Sequence, residues 1–212
     1  MSAYPAPPWA THGEARFLAY RVDASRLRPP EGLELDTRLG GSVGILGYVD
    51  YRPPSPLVYR EILWMPGRVR ARAPDGSVVR GWWVAKMLVD HPASLAAGRE
   101  IWALPKQLAR FERRGDRVVM QGEDGGVIEW RSRGSFGVPG RGSIVTLQRR
   151  GTTLVRFRGD FSGRVALARA RVTVRDLDGT WQGLDAARPL GPFAAELRDF
   201  RAVMQPPRMT SI

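Results

Sequence analysis

The chain has 212 residues, 43% of them hydrophobic, carries a net charge of +12 and contains no cysteine. That length and apolar content suit one domain with a core of ordinary size. The missing cysteine excludes disulfides, thiolate metal sites and a cysteine nucleophile, and no apolar run approaches the roughly 18 residues of a membrane span.

The positive charge raises the question of nucleic acid. The arginines are scattered along the chain, as at Arg21, Arg52, Arg117 and Arg164, and form neither a basic run nor a basic helix. No nucleic-acid partner and no membrane partner is therefore expected. Residues 1–14 read as an extended proline-rich arm. They lack the basic start and apolar stretch of a secretory signal, so the cytoplasm is the expected compartment.

In chain order, short β-branched or aromatic stretches fall between recurring turn residues. They run over 15–23, 41–51, 58–65, 81–90, 116–122, 143–149, 153–159 and 164–176, with turns at Asp75-Gly76, Gly115-Asp116, Gly159-Asp160 and Asp178-Gly179. This rhythm predicts a mostly antiparallel β protein with few helices. Over 164–176 the alternation places Ala166, Ala168, Ala170, Val172 and Val174 on one face. A short helical turn is expected before Pro29-Pro30. Residues 192–212 suit either a short helix or a last strand.

One segment reads as a helix. Asp90 can cap it, Pro92 suits its first turn and ASLAAGREIWAL supplies good formers. Leu95, Gly98, Arg99 and Trp102 share a side, and Pro105 stops it. Gly98 suggests close packing against a neighbour, and Arg99 and Glu100 suggest structural ion pairs.

Candidate chemistry narrows quickly. There is no phosphate-binding glycine loop. His12 and His91 lack metal-ligand spacing and read as surface or capping residues. Ser55 and Ser94 lie in no nucleophile elbow. Of the 33 basic residues only Lys86 and Lys106 are lysine. Lysine can lose its proton when desolvated, whereas guanidinium does not. A neutral amine attacks a ketone and forms a Schiff base, which serves as an electron sink. Such an amine needs apolar walls. Trp82, Trp83, Met87, Trp102 and Leu104 are near Lys106 in sequence and can supply them. The bland alternative is a lysine that reaches to solvent beside Pro105. Lys86 has no assigned role; on a regular strand it would share the face of Trp82.

The pattern GRE-x-x-x-x-PK (Gly98, Arg99, Glu100, Pro105, Lys106) resembles the acetoacetate decarboxylase superfamily. Tyr59-Arg60-Glu61 resembles the family segment that carries an active-site glutamate. AYRVDASRLRPPEGLEL resembles its early strand and turn, so the resemblance runs from about residue 15 to 115. It implies a curved antiparallel sheet closing into a cone-like barrel, a homo-oligomer, and a Schiff-base lyase acting on a small keto acid without metal or organic cofactor. By position Lys106 resembles the Schiff-base lysine and Glu61 its acidic partner. Tyr59, Arg16, Trp83 and Trp102 are the candidate substrate contacts.

The chain departs from the family in two places. Gln107 replaces a second lysine; if residues 106–111 form a strand, position 107 points away from the amine. The family's carboxylate-binding arginine aligns near Gly13, with Arg16 the nearest cation, and no second glutamate occurs around Gly44 to Tyr48. Aldolase or dehydratase chemistry is therefore carried as a variant of decarboxylation. Other readings stay open: Glu61 paired with Arg60 or Arg99, Tyr59 as core, and a non-catalytic module that binds a small molecule in the retained pocket.

Overall fold

The computed structural model describes residues 4–37, 41–134 and 136–212. The strands in chain order are β1 (Trp9–Asp23), β2 (Glu34–Leu35), β3 (Gly41–Arg52), β4 (Tyr59–Met65), β5 (Gly67–Arg72), β6 (Val78–Trp83) and β7 (Lys86–Val89). The helix α1 (Pro92–Trp102) follows. Then come β8 (Lys106–Arg114), β9 (Arg117–Gly122), β10 (Val127–Gly134), β11 (Val138–Arg150), β12 (Thr153–Arg175), β13 (Arg188–Pro189), β14 (Phe193–Met204) and β15 (Arg208–Ser211). Single 3-10 turns lie at Ala24–Arg26, Gly179–Trp181 and Leu184–Ala186.

Nine strands close a barrel in the order β10, β9, β8, β7, β4, β3, β1, β14, β12, and β12 returns to β10. The pairs are antiparallel except β7 with β8. A parallel pair cannot be joined by a tight turn, and α1 is the crossover that joins this one. Strands β11, β6, β5 and β2 extend from the other side of β12.

Each barrel strand presents alternate residues to two compartments. Tyr20, Tyr48, Trp64, Leu88, Met120, Trp130 and Val172 pack together inside the barrel. The opposite faces of β1, β3, β4 and β7 look toward β6, β11, the first half of β12 and α1, and enclose a second apolar cluster.

Three details differ from the sequence-based expectation. Trp9 to Glu14 belong to β1, which pairs with β14, so only the residues before Trp9 can form an arm; residues 1–3 of that expectation lie outside the described residues. Gly159-Asp160 is no turn: the two strands expected around it are one strand, β12. The glycine lies in mid-strand opposite Met204, and a Cβ there would make only ordinary contacts with Met204, Phe157 and Ile144. The stretch 81–90 is not one strand, because Val84 and Ala85 interrupt it between β6 and β7. The interruption shifts the alternation by one, so Trp82 faces the second compartment and Lys86 the barrel interior. Lys86 is 2% exposed; its Nζ donates to Asp124 at 2.8 Å and Thr180 at 2.7 Å and lies over the Trp181 ring. The C-terminal alternative resolves as the strand β14. No helix among the described residues is long and apolar enough to cross a membrane.

Candidate active site

Lys106 is the first residue of β8 and sits beside Met87 of β7. It follows the end of α1, where Ala103 turns left-handed and the Leu104 amide bonds back to the Gly98 carbonyl. Strand alternation sends its side chain into the second compartment and leaves Gln107 exposed. The α1 cap is His91, whose Nδ1 accepts from the Ala93 amide, while Asp90 instead accepts from the Arg60 amide.

Lys106 is 3% exposed and Glu61 5%. Nζ lies 3.1 Å from Glu61 Oε2, 2.9 Å from Ser94 Oγ and 3.5 Å from the Tyr59 hydroxyl. Glu61 and Tyr59 share one face of β4, two residues apart. Tyr51 pairs with Tyr59 across β3 and β4, stacks on its ring at 4.5 Å, and donates to Glu61 Oε1 at 3.1 Å. Burial pushes both phenols well above their ordinary range, with the nearby Glu61 charge acting in the same direction. Both tyrosines therefore stay protonated and can donate across the working pH range.

The GRE motif has a structural reason here. A Cβ on Gly98 would fall 2.4 Å from Lys106 Cδ and 2.6 Å from Cε, so only glycine lets α1 lie on the lysine stem. Arg99 Nε donates to the Lys106 carbonyl at 2.8 Å and anchors the start of β8. Glu100 accepts from the Tyr4 hydroxyl. The ion pairs expected for Arg99 and Glu100 are thus hydrogen bonds, and the Glu61 partner is Lys106 rather than Arg60 or Arg99.

These groups open on a cavity of about 300 Å³. Its walls come from β1, β3, β4, β6, β11, β12 and β14, with Trp9, Phe17, Trp82, Phe157 and Phe161 among them. Trp102 is also on this wall and packs edge-on against Trp9 at 4.9 Å. The indole N–H groups of Trp9 and Trp102 donate to the Pro5 and Gln205 carbonyls, so these rings offer hydrocarbon surface.

Two expected substrate contacts lie elsewhere. Trp83 follows Trp82 on β6, points to the opposite face and belongs to the other core. Arg16 lies between Ala15 and Phe17, which face the cavity, and so points toward the barrel interior. There it pairs with Glu196 at 3.5 Å and lies over the Tyr48 ring. Glu196 is a second buried carboxylate, held by Arg16, Arg198 and Ser132 away from Lys106. Among the described residues, Glu61 and Lys106 are the only charged side chains lining the cavity, and no cluster of three or more His, Asp or Glu could hold a metal ion.

Ser94 and Tyr51 escaped the sequence reading. Ser94 precedes Gly98 by four residues, the helical spacing of one face, which was a usable signal. Tyr51 meets Glu61 only through strand pairing.

Comparison with known proteins gives a consistent result. An acetoacetate decarboxylase from Burkholderia mallei is 32% identical over 116 residues, which is 51% of this chain and 42% of that protein. The chain thus aligns with less than half the length of the curated relatives it matches. An acetoacetate decarboxylase from Legionella pneumophila superposes with a TM-score of 0.62 at 15% identity, covering 100% of this chain and 90% of that one. The enduracididine biosynthesis enzyme MppR, complexed with pyruvate, superposes with a TM-score of 0.65 at 15% identity, covering 98% and 91%. At such identities the superpositions speak for the fold alone. The family model for acetoacetate decarboxylase matches residues 1–178, and the chain belongs to that family.

Proposed function

We propose that the protein is a carbon–carbon lyase that works through a Schiff base on Lys106. The observation that carries this reading is the buried amine–carboxylate pair, 3.1 Å apart, on the wall of a cavity large enough for a substrate. Membership in a lyase family supports it.

Attack needs a free amine, and Glu61 Oε2 is placed to take the proton. The amine adds to a ketone carbonyl, the Tyr59 hydroxyl hydrogen-bonds the developing oxygen, and Glu61 passes its proton to that oxygen, so that water leaves and the iminium faces a carboxylate. Breaking the bond one carbon away sends its electron pair into the iminium and yields an enamine. The enamine carbon then takes a proton, from Glu61 where that carboxylate has collected one from a substrate hydroxyl and from solvent where carbon dioxide has left, and water releases the product ketone and the free lysine. Ser94 holds Nζ from the helix side.

The leaving fragment can be carbon dioxide from a keto acid or an aldehyde from a β-hydroxy ketone. The second route is favoured by one observation: among the described residues no arginine lines the cavity to hold a substrate carboxylate. In that route Glu61 takes the hydroxyl proton as the bond breaks.

The test is borohydride trapping. The protein is incubated with acetoacetate, pyruvate or a β-hydroxy ketone, reduced, weighed intact and mapped. One stoichiometric adduct on Lys106, lost in Lys106→Ala, is the expected result, and carbon dioxide assay then distinguishes the two routes. Equal labelling of Lys86 and the N-terminus, or none with any carbonyl, would sink the enzyme reading and favour a binding module.

A further inference from the structure

The cavity itself discriminates among carbonyl compounds. With Lys106 as an iminium, its positive charge is already balanced by Glu61 at 3.1 Å. A keto acid would bring a second carboxylate into the same space. Arg16, the nearest expected partner, lies on the other face of β1, held by Glu196 and stacked on Tyr48. An unpaired buried carboxylate is strongly disfavoured. An apolar substituent meets the opposite situation, because Phe17, Trp82, Trp102, Phe157 and Phe161 surround the space with rings. A volume of about 300 Å³ sits at the lower edge of pockets that enclose drug-sized ligands. It is generous for a four-carbon acid.

One polar group on the wall lacks a partner. Thr146 on β11 is 4% exposed, lines the cavity, and its Oγ1 makes no hydrogen bond among the described residues. A buried hydroxyl left unpaired is costly, and rotation about the Thr146 Cα–Cβ bond to another staggered position would bring it to a ligand oxygen.

We propose that the cavity takes a neutral ketone with an extended apolar, preferably aromatic, substituent rather than a small keto acid, and that Thr146 hydrogen-bonds a second oxygen on that substituent. The inference rests on the Schiff-base reading only for where the carbonyl sits.

The experiment uses the full chain and takes two readouts on one ligand panel. Tryptophan fluorescence quenching reports occupancy, since Trp9, Trp82 and Trp102 line the cavity. Borohydride-trapped mass on Lys106 reports covalent chemistry. The panel is acetoacetate, 2-butanone, 2-hexanone, 4-phenyl-2-butanone and the ring-hydroxylated isomers of the last. Half-saturation is expected to fall roughly fourfold per added methylene, with 4-phenyl-2-butanone binding at least about thirtyfold more tightly than 2-butanone. Acetoacetate is expected to bind no better than 2-butanone. Thr146→Val should weaken at least one hydroxylated isomer about fivefold and leave 4-phenyl-2-butanone within about twofold.

Tighter occupancy by acetoacetate than by 2-butanone, or affinity indifferent to apolar size, overturns the proposal. Equal affinities of Thr146→Val and the parent protein for every isomer overturn the assignment of Thr146. Occupancy that follows apolar size without any Lys106 adduct removes the Schiff-base reading and leaves the selectivity standing. An adduct formed as readily with acetoacetate as with 4-phenyl-2-butanone does the reverse.

Discussion

Gly98→Ala tests whether α1 sets the position of the Lys106 amine. The added Cβ would lie 2.4 Å from Lys106 Cδ, 2.6 Å from Cε and 3.0 Å from Cγ. Carbon atoms rest at about 3.5–4.0 Å, so the stem or the helix must yield by roughly 1 Å. The stem is the softer element, but its end is held by Ser94, Glu61 and Tyr59. In stability the change is nearly balanced. Alanine in place of glycine favours a helix by about 1 kcal/mol, and overpacking costs about 1–3 kcal/mol. Chemistry is less forgiving, since a 1 Å misplacement of a reacting group can cost on the order of 100-fold. The expected outcome is a folded protein with a thermal midpoint within a few degrees of the parent and trapping on Lys106 about 100-fold slower. The assay is adduct formation against time by intact mass, with the ketone that traps fastest. Trapping at the parental rate in a folded Gly98→Ala protein would refute the claim that glycine is there to seat the lysine.

Arg16→Met should leave Lys106 trapping within about twofold, because Arg16 does not line the cavity, while lowering stability by about 1–3 kcal/mol through the loss of a Glu196 partner; a selective loss of keto-acid trapping would show that Arg16 reaches substrate after all. Tyr59→Phe removes a proton donor and should slow trapping about tenfold or more; because burial keeps the parent phenol protonated, the pH profile below pH 10 should keep its shape, and a limb that vanishes with the hydroxyl would contradict this. Lys86→Met should destabilise the fold at neutral pH. Burial acts to raise Asp124, but the hydrogen bonds from Lys86 and the Gly126 amide, together with the Lys86 charge, outweigh it and hold the carboxyl below its ordinary range. A depressed carboxyl contributes stability that is fully present above its unfolded value, near 3.8, and lost as pH falls through the folded value. The urea midpoints of parent and variant should keep their gap above about pH 3.8 and converge as the pH falls below it; a constant gap would show that this carboxylate is not what Lys86 holds.

The two central groups were legible because their signals are local. Lys106 stands out by residue scarcity and by the Gly-Arg-Glu and Pro-Lys spacing, and Glu61 lies in a short segment with Tyr59 on the same strand face. The β class was legible because turn residues punctuate short strands. What failed was parity. Arg16 and Trp83 were each assigned to the cavity from nearness in sequence, and each is one residue out of phase with it. The flanking pattern Ala15-Arg16-Phe17 already held the answer for Arg16, since small and aromatic residues alternate around it. For Trp83 the phase depends on the break at Val84-Ala85, which no turn residue marks. Barrel closure was also unreadable, because β10 meets the second half of β12 only after the intervening strand β11 has folded away.

The two lysines show how far scarcity can carry an argument. Both are buried, so a chain whose other 31 basic residues are arginine keeps lysine only inside. That fact alone does not select a nucleophile. A compact ammonium with three donors suits a closed polar clasp as well as it suits a reaction, and Lys86 is such a clasp, spanning Asp124 and Thr180 over the Trp181 ring. The difference lies in what stands beyond the amine. Lys86 faces a filled barrel, whereas Lys106, beside Met87 on the neighbouring strand, faces open space with Glu61 at its side. Adjacent parallel strands thus place the chain's two lysines in separate compartments, and the empty compartment marks which one can meet a substrate.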